Sequence, residues 1–131
     1  MNIIADTNIF IAIALNQPEK HLIVDLTKEA KVFSPEILPY EIGNALSAML
    51  KRKQVNVKDV GEILKITQRI RVRLLIVDIA LALKIAIEYN IYAYDAYFLL
   101  VAHSKKYPLL TLDKKMKEVA QHMNIKLLGE L

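Results

Sequence analysis

Four acidic residues stand where their carboxylates could work together. Asp6 directly follows the apolar run "NIIA", and Asp113 follows "PLLTL" in the same way, so two expected strands each run into an acid that opens a helix. In an open parallel sheet, ligands bind outside the carboxyl ends of the strands, which directs both acids toward one edge. Asp95 begins a helical stretch in which Phe98, Leu99 and Ala102 follow at i+3, i+4 and i+7, putting it in register with the apolar face. Glu41 borders the core face of its own helix, one position before Ile42. An ionised carboxylate turned inward is costly unless it is paired or metal-bound. Each acid also fits a simpler role: Asp6, Asp95 and Asp113 as helix N-caps, and Glu41 as a first-turn acid favoured by the helix dipole. Four acids converging on one sheet edge nevertheless repel one another. Hard divalent cations held by one or two carboxylates and by substrate phosphates relieve that repulsion. Two such ions about 3.5–4 Å apart activate a water and stabilise the leaving oxygen of a phosphodiester.

Other chemistries lack their residues. The chain has no Cys, which excludes a disulfide scaffold, thiolate zinc ligation and a cysteine nucleophile. Its three glycines, Gly43, Gly61 and Gly129, cannot build a P-loop or a dinucleotide fingerprint, and no G-x-S-x-G nucleophile elbow is present. His21, His103 and His122 show no spacing for joint metal ligation. Phosphoryl transfer onto Asp6 would call for a second Asp two residues on, where this chain has Asn8.

The elements that must position the acids are readable from apolar patterning. Short apolar runs alternate with stretches of helical period, which predicts an α/β fold in which a central parallel sheet of about four to five short strands is flanked by helices. "NIIA", "KVFS", "RVRLLIV" and "YPLLTLD" are the expected strands, with "IKLL" a last short one. Helices are expected up to about Ala30, across "YEIGNALSAMLKR" after Ser34-Pro35, from about Val57 to Arg69, and over "DIALALKIAIEY", "NIYAYDAYFLLVAHSKK" and "KKMKEVAQHM". In "YEIGNALSAMLKR" Ile42, Ala45, Leu46, Met49 and Leu50 form the core face. The near-continuous apolarity of "DIALALKIAIEY" predicts a helix mostly buried, with Asp78 as its cap.

The chain has 131 residues and 54% apolar content, enough for one domain with a sizeable core, expected to span 1–131. No linker or low-complexity tract divides it. Without a signal-peptide pattern or an apolar run near the ~18 residues of a spanning helix, the expectation is a soluble cytoplasmic protein with no membrane partner. The net charge of +4 is uneven: residues 1–50 carry three Lys against six acids, and residues 51–131 fifteen Lys and Arg against eight acids. Basic clusters at 51–53, at Arg69, Arg71 and Arg73, at 105–106 and at Lys114, Lys115 and Lys117 suit a polyanionic partner. Aromatic residues do not interleave with these clusters, so no stacking platform for bases is indicated. Tyr89, Tyr92, Tyr94, Tyr97 and Phe98 gather around one helix start and offer aromatic surface for self-association.

Taken in order, "IIADTNIFIA", "SPEILPYEIGNAL", "YDAYFLLVAHSKKYPLLTLD" and the following "KK" resemble the successive motifs of PIN-domain nucleases, particularly the VapC-like toxins of prokaryotic toxin–antitoxin pairs. The likeness spans nearly the whole chain. It implies that Asp6, Glu41, Asp95 and Asp113 form an acidic quartet holding Mg²⁺ or Mn²⁺, and that Thr7, Asn8 and Thr111 are the polar residues bordering it. It implies further a metal-dependent endoribonuclease acting on RNA, a homodimer, and a small antitoxin protein as partner. An RNA-processing PIN nuclease without an antitoxin shares the chemistry. A non-catalytic RNA- or protein-binding module would use the acids only as caps.

Overall fold

The computed structural model describes residues 1–129. Four strands form one parallel sheet in the order β3-β2-β1-β4: β1 (Asn2–Ala5), β2 (Lys31–Pro35), β3 (Arg73–Leu75) and β4 (Leu109–Leu110). Seven helices lie among them in the described residues: α1 (Thr7–Ala14), α2 (Lys20–Thr27), α3 (Leu38–Lys51), α4 (Val57–Arg69), α5 (Ile79–Tyr89), α6 (Ala93–Lys105) and α7 (Lys114–His122). The expected fold class is therefore the observed one. The last expected strand, "IKLL", contributes an isolated parallel bridge between Leu127 and Leu109. "RVRLLIV" shortens to three residues because β3 is the outer strand, paired with β2 alone and leaving Arg73 and Leu74 exposed.

Ile3 and Ile4 are both 0% exposed, and since neighbouring strand residues point to opposite faces, β1 is covered on both sides. The helices pack in two sets. α1 contacts α2, α3 and α4, while α6 lies across β1 and β2 and contacts α5 and α7. Phe10, Leu38 and Leu46 fill the core from the first set, and Phe98, Leu99 and Ala102 from α6. Buried apolar side chains of this size each contribute about 1.5–3 kcal/mol. The start of α4 carries a reciprocal capping box in which Asn56 and Asp59 satisfy each other's backbone N–H.

The expectation for α5 is corrected. Only Ala82 and Ala86 are buried, whereas Ile79, Leu81, Leu83 and Ile87 are exposed, the last at 80%. Ala82 and Ala86 sit four residues apart and meet Ala96 and Leu100 of α6 in a small separate cluster. Small side chains let the two helices approach closely, so a narrow stripe fixes α5 and its large apolar residues face outward. Asn90, at φ 53°, ends α5 in the left-handed conformation that Asn adopts more readily than most residues, and reverses the chain into α6. Ala82→Leu would overpack this contact. It is expected to lower unfolding stability in urea by about 1–3 kcal/mol, and an unchanged midpoint would refute the close α5–α6 approach.

Candidate active site

In a parallel sheet all carboxyl ends share one edge. The strand order turns at β1, which is bonded to β2 on one side and β4 on the other, so the crevice at its carboxyl end is the place where such sheets bind ligands. Asp6 follows β1 there, and Thr111 to Asp113 follow β4. α3 starts three residues beyond the end of β2 and brings Glu41. Asp95 arrives by another route: it is the third residue of α6, placed by the α5–α6 reversal and by the packing of α6 on β1 and β2.

Asp6, Glu41, Asp95 and Asp113 line one cavity of about 310 Å³, together with Thr7, Asn8, Ile37, Tyr40, Asn44, Ala45 and Tyr94. The described lining contains four acids and no Lys, Arg or His. Thr111 lies beneath it, 2% exposed. All seven residues singled out in the sequence are thus at or directly under one cavity. Sequence reasoning did not include Ile37, Tyr40, Asn44, Ala45 and Tyr94 in the site. A local signal for three of them existed: Tyr40 and Tyr94 each immediately precede one of the acids, and Asn44 follows Glu41 at i+3.

Hydrogen bonds settle the cap readings one by one. Asp6 is the N-cap of α1 and accepts from the Thr7 amide at 2.7 Å through Oδ1, while its Oδ2 accepts from the Thr111 hydroxyl at 2.8 Å. Thr111 Oγ1 in turn accepts from the Asp113 amide at 3.0 Å. Asp113 caps α7, accepting from the Met116 amide at 2.8 Å. Thr7 donates its hydroxyl to Glu41 Oε2. Asp95 is no cap: α6 is capped at Tyr92, without a side-chain hydrogen bond. Capping therefore accounts for Asp6 and Asp113 in part and for Asp95 not at all. One threonine network connects β1, α3, β4 and α7.

Burial shifts three of the acids upward, and repulsion adds to it at two of them. Burial is the main cause that pushes Asp6 from its ordinary 3.8 to about 7; the bonds from Thr111 and Thr7 oppose it, and the charges of Asp95 and Glu41 add to it. Asp95 is pushed up to about 6, first by burial and then by the charges of Asp113 and Glu41. Burial also raises Glu41, against the bond from Thr7. Among the described residues, no three or more His, Cys, Asp or Glu side chains close into a metal cage. The donor set nonetheless fits a hard cation: Mg²⁺ takes one or two carboxylates and fills its octahedron with water and substrate phosphate, so a closed protein cage is unnecessary. Asp6, Glu41 and Asp95 are raised chiefly because burial penalises their charge, a cost that a bound cation would offset.

A PIN domain family model matches residues 3–122, and the chain belongs to the PIN-domain family. Its fold is similar to the crystal structure of PAE2754 from Pyrobaculum aerophilum, at 22% identity and a TM-score of 0.67, covering 91% of this chain and 79% of that one. It is similar also to VapBC2 from Rickettsia felis bound to a DNA fragment from their promoter, at 18% identity and a TM-score of 0.64, covering 97% of each chain. A comparison with curated proteins finds no match. Among the described residues no helix is long and apolar enough to cross a membrane.

The shifted acids make stability depend on pH. Folded Asp6 keeps its proton up to about pH 7 and the unfolded chain only to about 3.8, so between these values the folded state binds more protons. Stability then declines as pH rises through that window. In EDTA the Tm is expected to fall across it, Asp6 contributing up to about 4 kcal/mol, and Asp6→Asn is expected to remove much of the slope. Parallel Tm profiles for the two proteins would contradict the burial assigned to Asp6.

Proposed function

We propose that this chain, as one nuclease unit over residues 1–131, is a metal-dependent endoribonuclease that hydrolyses RNA phosphodiester bonds, the toxin of a VapBC-like toxin–antitoxin pair. The observation that carries the reading is the convergence of four carboxylates, from four separate segments, on a cavity whose described lining has no basic side chain. Membership of the PIN family, whose members are generally metal-dependent nucleases, supports it. Asp6, Asp95 and Glu41 would hold Mg²⁺ or Mn²⁺, with Asp113 completing or orienting the set. When bound, the ion supplies Lewis acidity at the phosphoryl oxygen and makes a water nucleophilic near neutral pH. The protein's own residues fix the geometry: Thr7 orients Asp6 by its amide and Glu41 by its hydroxyl, and Thr111 orients Asp6 by its hydroxyl. The lining offers no His or Lys as a general base, so proton removal from the attacking water rests on a carboxylate beside the ion. Lys114 and Lys115, exposed directly after Asp113 at the start of α7, suit the phosphates flanking the cleaved bond.

An antitoxin partner is supported by the fold shared with the VapBC2 complex. A homodimer is supported by the outward apolar residues of α5 and by Tyr92, which is 82% exposed, whereas Phe98 is fully taken up by the core.

Purified protein is expected to cleave single-stranded RNA with Mg²⁺ or Mn²⁺ and to stop with EDTA. Asp95→Asn is expected to slow cleavage by about 10²-fold or more, and an undiminished rate would remove the quartet from the mechanism. Mn²⁺ should raise the Tm of the parent well above its effect on Asp95→Asn, because only binding to the folded state stabilises it; a parent indifferent to Mn²⁺ contradicts the metal reading. Light scattering is expected to give a dimer for the parent and a monomer for Ile79→Asp/Ile87→Asp. A monomeric parent at high concentration would refute self-association.

A further inference from the structure

The geometry points to Tyr40 and Tyr94 as base-stacking residues that seat the two nucleobases flanking the phosphate held at the four acids. This rests on the nuclease reading above and adds a binding site for single-stranded RNA to it. Both rings line the same cavity as the acids, yet Tyr40 is 77% exposed and Tyr94 55%. Each stands immediately before an acid, Tyr40 before Glu41 near the start of α3 and Tyr94 before Asp95 in the first turn of α6. Consecutive helical residues point about 100° apart. A helix that turns its carboxylate toward the cavity therefore turns the preceding ring toward the rim. Two separate helices do this around one cavity, so the acids are flanked by aromatic surfaces from two elements.

The rings have the properties that stacking requires. Aromatic faces bind bases with little regard to sequence, because every base has a π-face. Tyr94 meets Tyr97 edge-to-face, with centroids 6.1 Å apart and planes at 86°, which restrains the ring before any base arrives and lowers the ordering cost of binding. Tyr40 and Ile37 also line an adjoining cavity of about 560 Å³ that is mainly apolar apart from Glu36, which gives a base on Tyr40 an apolar shelf outside the four-acid cavity. Asn44 lies four residues after Tyr40, on the same side of α3 and in the acidic cavity, where its amide can pair with a base edge. Bases stacked in a duplex cannot be splayed onto these rings, so the site selects single strands. The basic clusters in the sequence lack interleaved aromatics; the platform comes instead from tyrosines beside the acids.

The test uses the full chain, a fluorescent single-stranded RNA octamer and Mn²⁺. Tyr40→Ala and Tyr94→Ala are each expected to raise KM about five- to a hundredfold, the range for losing one base–aromatic stack. Tyr40→Phe and Tyr94→Phe are expected to stay within about twofold of the parent, since the face and not the hydroxyl does the binding. An abasic site next to the cleaved bond should raise the KM of the parent similarly and add little in the matching Ala variant. Ala variants with the KM of the parent overturn the inference while leaving the nuclease reading intact. Unchanged KM combined with loss of the dimer would assign the rings to a protein interface and overturn it equally. A parent that does not cleave RNA removes both readings. Circular dichroism of each variant checks that the exposed substitutions leave the fold unaltered.

Discussion

Asp6 is 5% exposed, and taking a carboxylate out of water costs several kcal/mol unless donors or a cation compensate. The Thr7 amide and the Thr111 hydroxyl supply part of that compensation, one for each oxygen. The same two threonines also reach Glu41 and the Asp113 amide, so the solvation of one buried acid ties together β1, α3 and the β4–α7 turn. Ser34 strengthens the frame from below, donating its buried hydroxyl to the Ala5 carbonyl at 2.6 Å where β2 runs beside β1. The network is over-determined around Asp6 and sparse around Asp95.

That difference follows from the fold. Three of the acids stand close behind strand ends, where parallel pairing fixes the backbone, and Asp6 and Asp113 do double duty as caps. Asp95 depends on a helix hairpin set by the left-handed Asn90 and by the Ala82, Ala86, Ala96 and Leu100 contact. Position is therefore supplied by packing, and among the described residues no hydrogen bond to the Asp95 carboxylate takes up either oxygen. Cavities built this way carry repulsion in the folded state. Burial is the first cause of the upward shifts of Asp6, Glu41 and Asp95, and neighbouring carboxylates add to it at Asp6 and Asp95, with no basic side chain in the described lining to offset them. Sites that hold like charges together trade stability for function, and a bound cation reverses the sign of that contribution.

The outward face of α5 follows from the same packing. Once a stripe of alanines lets α5 lie close to α6, the large side chains at Ile79, Leu83 and Ile87 have no interior left to enter. An apolar surface of this kind is uncommon on a protein that works alone.

Much was determined by the sequence alone. Alternation of short apolar runs with helical periods specified the α/β class and the approximate strands, because residue periodicity follows directly from backbone geometry. "DTN" after the first strand and "TLD" at the end of the fourth located Asp6 and Asp113 at one edge, since parallel strands share their direction. The registers of Glu41 and Asp95 were legible as acids beside apolar helix faces. Periodicity carries no information about which neighbour a helix meets, so the burial expected for "DIALALKIAIEY" did not materialise and strand lengths at the sheet edge shrank. Nor could it show that Asp95 is free of capping while Asp6 and Asp113 are not, or that Tyr40 and Tyr94 look into the same cavity from different helices. Those relations are set between residues distant in the chain, by contacts such as Thr111 to Asp6 and Thr7 to Glu41, and come into being only when the sheet and its helices pack.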